Sequence, residues 1–184
     1  MSLTDLPGNL PAPIDDGATN HLLGTTVPDL SFVSTAGETV NIGQFPGRTV
    51  FYIYPMTGRP DTALPDGWDE IPGARGCTPQ SCGFRDHYAE LKALTTEVVG
   101  LSAQSTTYQL EAKKRLDLPF ELLSDENLSL KSTLNLPTFT ADGMELYKRI
   151  TFIAEQSRII KVFYPVFPPS ENAEQLIDWL QDTA

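Results

Sequence analysis

The chain has 184 residues, enough for one domain with a sizeable core. A hydrophobic fraction of 40% and a mean hydropathy of -0.19 are ordinary for a globular protein. With 24 acidic against 13 basic residues, the formal charge of -11 leaves no basic surplus to replace phosphate counterions. That argues against nucleic acid, and against an anionic membrane surface, as partners. No apolar run approaches the roughly 18–20 residues that cross a bilayer. Met1 to Asp16 is acidic and lacks the positive start and apolar middle of a secretory leader. The expected address is cytoplasmic, where two cysteines rarely form a permanent staple.

In chain order, residues 1–24 are rich in Pro, Gly, Asp and Asn and read as an irregular arm, with one domain over 25–184. Val27 to Ser34 and Thr39 to Ile42 alternate around a Gly-bearing turn, a β-hairpin pattern. Thr49 to Tyr54 is β-branched and aromatic throughout, as in a strand buried on both faces. Pro55 to Gly76 is a long Pro- and Gly-rich loop, a length that is uncommon and often functional; its middle, 60–70, reads equally well as a surface insertion. A helical pattern follows from Thr78 to Leu94, with Pro79 in the first turn and Phe84, Tyr88 and Leu91 on one face.

Glu97 to Ser102 reads as a short buried strand, Ser105 to Leu116 as a helix and Phe120 to Leu123 as a strand. Ser124-Asp125 is placed to cap a helix over 128–134, and 135–144 reads as a loop. Arg149 to Ala154 and Arg158 to Tyr164 form a second hairpin, and an amphipathic helix closes the chain over 171–182. Alternating strands and helices ending in an antiparallel hairpin predict an α/β fold: a central mixed β-sheet flanked by helices, thioredoxin-like, with an N-terminal β-hairpin extension. A flavodoxin-like sheet is the alternative, disfavoured by that terminal hairpin.

Both cysteines, Cys77 and Cys82, lie where the long loop enters the first helix. Unpaired N–H groups and the helix dipole at such a position favour a negative sulfur, and thiols there ionise more easily than free ones. Arg75 is adjacent, and Arg149 opens a strand whose start can lie beside the same helix. Position alone thus makes Cys77 the nucleophile candidate. Five residues of ideal helix set the two Cα atoms about 8.5 Å apart, whereas a disulfide needs about 4.4–6.8 Å. The pair can bond only if the first turns unwind. Inert buried thiols remain an alternative at this point. A metal site built from Cys77, Cys82, His87 and His21 has the wrong spacing for a zinc knuckle, and neither a metal nor another cofactor is expected.

The run Gly76-Cys77-Thr78-x-x-x-Cys82-x-Phe84-Arg85-Asp86 resembles the active-site helix of peroxiredoxins of the bacterioferritin-comigratory (PrxQ) type. Tyr54-Pro55, Gly100 to Ser105, Leu118 to Asp125 and Arg149-x-Thr151-Phe152 resemble that family's further motifs in order, so the likeness spans residues 25–182. It implies a thiol peroxidase acting on hydrogen peroxide or organic hydroperoxides. Cys77 would be the peroxidatic cysteine, Cys82 the resolving one that forms an intramolecular disulfide, and Arg149 the cation holding thiolate and peroxide. Thioredoxin or a similar dithiol would be the reductant, and the protein a monomer or weak homodimer. The family has Pro and Thr seven and three residues before the peroxidatic cysteine, where this chain has Glu70 and Ala74, with about 15 extra residues between Pro55 and Cys77. Pro55 and Thr57, or Thr78 for the hydroxyl, are then the candidates for those roles. A thiol–disulfide oxidoreductase or redox sensor, and a non-catalytic binding module, are the other readings of the same fold.

Overall fold

The computed structural model describes residues 5–183. Residues 1–4 of the expected arm and residue 184 lie outside them. The described part of the arm, residues 5–24, has no helix or strand, and a single bridge from Thr26 to Arg158 follows it. The first hairpin is β1 (Ser31–Ser34) and β2 (Thr39–Asn41), followed by β3 (Arg48–Ile53). Then come α1 (Cys77–Asp86), α2 (Tyr88–Ala93), β4 (Thr96–Ser102), α3 (Thr106–Leu116) and β5 (Leu122–Ser124). The chain continues through α4 (Ser129–Leu134), β6 (Thr138–Ala141), β7 (Met144–Tyr147), β8 (Ile150–Glu155), β9 (Arg158–Phe163) and α5 (Asn172–Asp182).

Seven strands form one sheet in the order β2-β1-β5-β4-β3-β8-β9. β3 pairs in parallel with β4, and β4 with β5, while β8, β9 and the first hairpin join antiparallel, so the sheet is mixed as expected. The apolar run of β3 explains its central place, because alternate side chains feed two separate cores. Phe51 and Ile53 pack with Leu22, Phe32, Leu130, Leu134 and Phe152 on one face. Val50 and Tyr52, continued by Tyr54, pack with Cys77, Phe84, Leu91, Leu176 and Leu180 on the other. The sulfur of Cys77 therefore sits on the face covered by α1 and α5. Phe84 is fully buried and stacks on Tyr52 at 4.7 Å, which fixes the second half of α1 to the sheet. Burial of a side chain of that size contributes about 1.5–3 kcal/mol.

Three sequence expectations are corrected. The helix expected over 78–94 is two helices, because His87 leaves helical geometry (φ -98°, ψ 8°) and restarts the chain as α2. Residues 135–144 are not simply a loop: β6 and β7 pair through Asp142-Gly143, both at positive φ (48° and 75°), the backbone a tight hairpin turn requires. The long loop is not a bare insertion either. It contains a short 3-10 turn over Trp68–Glu70, and Trp68 and Ala74 build a small core with Ala141 and Leu146 of the new hairpin. Elsewhere Asp125 caps α4 as expected, its carboxylate accepting from the N–H groups of Ser129 (2.8 Å) and Leu130 (3.0 Å).

Candidate active site

Cys77 is the first residue of α1, directly after Gly76. Gly76 has φ +114°, and a Cβ there would stand 2.7 Å from Pro169 Cγ, so only glycine lets the loop turn into the helix at this point. No side chain caps the helix and no acidic residue lies in its first turn. The N-terminal dipole is left to act on the sulfur of Cys77, a residue only 3% exposed. The thiol can donate to Ala74 O at 3.8 Å.

The cation comes from the residue just before β8. Arg149 Nη2 lies 3.2 Å from Cys77 Sγ and also faces the carbonyls of Gly73 (3.2 Å), Ala74 (3.0 Å) and Arg75 (3.3 Å). One NH2 group has two protons, so these acceptors share them and the thiol competes with the loop's own backbone. Arg149 Nη1 donates to Gln80 Oε1 at 2.6 Å. Gln80 Nε2 in turn donates to Asn172 Oδ1 (3.0 Å), which also accepts from Thr151 Oγ1 (2.7 Å). This chain of buried polar groups ties the first turn of α1 to β8 and to the start of α5. Among the described residues, Arg149 Nε and Asn172 Nδ2 have no hydrogen-bond partner.

Thr57 spends its hydrogen bonds away from the sulfur. Its N–H (3.0 Å) and Oγ1 (3.4 Å) both point to Gln104 Oε1, and its carbonyl accepts from Tyr108 Oη at 2.9 Å. Its neighbours Met56 and Gly58 line the pocket over Cys77 instead, together with Leu64, Trp68, Arg75 and Thr78. Thr78 is thus the hydroxyl-bearing residue at that pocket. Pro55 is buried at the end of β3 and does not line it. Arg75 is also held away from the sulfur, its Nη1 donating to Asp69 at 2.8 Å.

Two tyrosines pack in the same core as Cys77. Burial pushes the phenols of Tyr52 and Tyr54 well up, so neither supplies a phenolate to take the Cys77 proton. Cys82 is half-buried on the same helix, and burial raises its thiol above the ordinary range against the opposing pull of Arg85. Both cysteines are free, and α1 is continuous from one to the other. His87 faces Glu90 and Glu174, and His21 meets Leu134 O, so the four residues of the conceivable metal site do not assemble.

Sequence reasoning missed Gln80, Thr151 and Asn172. Gln80 carried a signal, since it stands three residues after Cys77 on the same helical face. Thr151 carried one as well, two residues after Arg149 on one side of a strand. Asn172 carried none, because only the packing of α5 on α1 brings it in.

A free thiol at a helix start, a buried guanidinium against it and a second thiol on the same helix define a thiol-based redox site on a thioredoxin-like fold. The chain belongs to the Redoxin family, whose model matches residues 22–177. It is 31% identical over 161 residues to chloroplastic peroxiredoxin Q of rice (Oryza sativa subsp. japonica), covering 86% of this chain and 66% of that protein. It is 27% identical over 165 residues to peroxiredoxin Bcp of Escherichia coli K12, covering 88% of this chain and 96% of Bcp. The crystal structure of peroxidoxin BcpB from Mycobacterium tuberculosis superposes with a TM-score of 0.71 at 21% identity, over 88% of this chain and 97% of that one.

Proposed function

We propose that this chain is a thiol-dependent peroxidase with Cys77 as peroxidatic and Cys82 as resolving cysteine. The observation that carries the reading is the 3.2 Å contact of Arg149 Nη2 with Cys77 Sγ at an uncapped helix start. The Cys77 thiolate attacks one oxygen of the peroxide, the O–O bond breaks, and the second oxygen leaves as hydroxide or alkoxide and takes up a proton. The sulfur has gained an oxygen and become a sulfenic acid, the peroxide being reduced by two electrons. Arg149, whose Nη2 already faces the sulfur, stabilises both the thiolate and the oxygen on which charge develops. Thr78 at the pocket wall is the better-placed hydroxyl to hold the peroxide.

The first turns of α1 then unwind and the Cys82 thiolate attacks the sulfenic sulfur, forming the disulfide and expelling hydroxide, which takes up a proton to leave as water. A dithiol of the thioredoxin type restores both thiols by exchange. A cytoplasmic setting supplies such a reductant. Of the described residues, 25–183 form the catalytic domain of this proposal and 5–24 an arm along it, and the molecule works as a monomer or weak homodimer. Thioredoxin-coupled consumption of hydrogen peroxide tests the reading. Turnover is expected in the unsubstituted protein and none in Cys77→Ser; equal turnover in the two would overturn it. Exchange with protein disulfides without faster reaction with peroxide than a free thiol would point to an oxidoreductase instead.

A further inference from the structure

The loop over Cys77 has a built roof. Trp68 is 3% exposed and its ring lies 6.0 Å from that of Phe139 on the β6–β7 hairpin. Ala74, Ala141 and Leu146 complete this small core, with Met56, Leu64 and Ile71 packed at its edge. Two polar clamps fix the loop's ends. Arg75 pairs with Asp69 at 2.8 Å, and Arg115 Nη2 donates to Gly58 O at 2.9 Å from α3. The apolar core and its clamps leave a pocket with only about 10 Å³ of free volume over the sulfur, with Met56, Leu64 and Trp68 as apolar wall.

A larger depression of about 330 Å³ lies nearby and contrasts with it. Gly73 and Arg149 line that depression but Cys77 does not, so the sulfur is reached from the small pocket. The outer face of the roof is acidic, with Asp66, Asp69 and Glu70 around a single pairing cation, Arg75.

We infer that Met56, Leu64 and Trp68 form a size filter that admits small uncharged peroxides to Cys77 and holds back those with a bulky group. The inference rests on the peroxidase reading for its substrate but not for the filter itself. An O–O bond must line up with Sγ for the displacement, so a substituent on the distal oxygen has to pass between these side chains. Hydrogen peroxide needs no such room, whereas an aryl-substituted hydroperoxide does. Hydrophobic pockets discriminate by about tenfold or more for each group that fails to fit.

The test uses two probe pairs on the full chain carrying Cys82→Ser, so that Cys77 is the only thiol. The first pair is hydrogen peroxide and cumene hydroperoxide in single-turnover oxidation. The second is iodoacetamide and pyrene maleimide, each labelling rate divided by that of the same protein unfolded in urea. Small over bulky is expected to exceed about tenfold in both pairs. Leu64→Ala and Trp68→Ala should each lower both ratios several-fold, and Leu64→Phe should raise them. That rise is a direction mere loosening of the loop cannot produce. Bulky probes as fast as small ones, or ratios that none of the three substitutions moves, would overturn the filter. If the labelling ratios move while neither peroxide reacts faster than with a free thiol, the filter stands and the peroxidase reading fails.

Discussion

The two cysteines of one helix share an apolar core but differ in which polar groups reach the sulfur. Cys77 is buried in a polar cradle, where a helix start, a guanidinium and the carbonyls of Gly73 to Arg75 converge on one spot. Cys82 is half-buried against the apolar core, and burial pushes its thiol pKa up. The first turn of α1 is held by directional hydrogen bonds through Gln80 and Arg149, the next by the packing of Phe84. Directional bonds are lost together once geometry is lost, while a buried ring tolerates movement at one end of its helix. In the proposed cycle one thiol reacts with the helix closed and the other only after its first turns open, while the buried Phe84 holds the second half of α1 on the sheet.

The largest expected effect breaks the polar side of this contrast outright: Cys77→Ser removes the nucleophile and should abolish peroxide reduction in a coupled assay. Arg149→Ala comes next. It takes away the cation and releases the loop carbonyls, and the second-order rate with peroxide should fall by about 10²–10³-fold, the size of losing one oriented donor to developing charge. Stopped-flow fluorescence of the reduced protein reads this directly.

The apolar side is sharpened by pH. Cys82 has a raised pKa in the folded chain, so its neutral thiol favours the closed helix below the unfolded value of about 8.5, and that contribution is lost as pH rises. Both opening and thiolate formation then push the same way. Disulfide formation after a peroxide pulse should accelerate with pH, by up to about tenfold per unit below pH 8.5. A rate independent of pH there would remove Cys82 from the resolving step.

The smallest effect belongs to a control on the other face of the sheet. Tyr147 Oη donates to Asp125 at 2.7 Å and accepts from Lys131 N–H, closing the cap of α4. Tyr147→Phe should cost about 1–3 kcal/mol in urea unfolding and leave the ratio of oxidation to disulfide-formation rates unchanged.

Much of this was legible in the sequence where the pattern is local. The apolar run of Thr49 to Tyr54 marked the central strand, and Cys77 followed by Pro79 marked a helix start. The spacing of the cysteines required unwinding before any coordinate was known. The β6–β7 hairpin was hidden because Pro137 and Gly143 punctuate a stretch whose four-residue strands alternate weakly, although Asp142-Gly143 is itself a hairpin signal. The path of the 55–76 loop was not legible. It is set by Gln104, Tyr108 and Arg115 on and before α3 and by Phe139 beyond it, far along the chain. Nor could the sequence show that Thr57 bonds to Gln104 while Thr78 lines the pocket over Cys77.

The most direct measurement is chemical trapping of the first oxidised state. Reduced Cys82→Ser protein is treated with one equivalent of hydrogen peroxide and dimedone, then mapped by peptide mass spectrometry. The account predicts a single adduct on Cys77, formed far faster than on the urea-unfolded chain. No adduct at Cys77, or one formed no faster than in the unfolded chain, would contradict the claim that the folded start of α1 makes this thiol reactive.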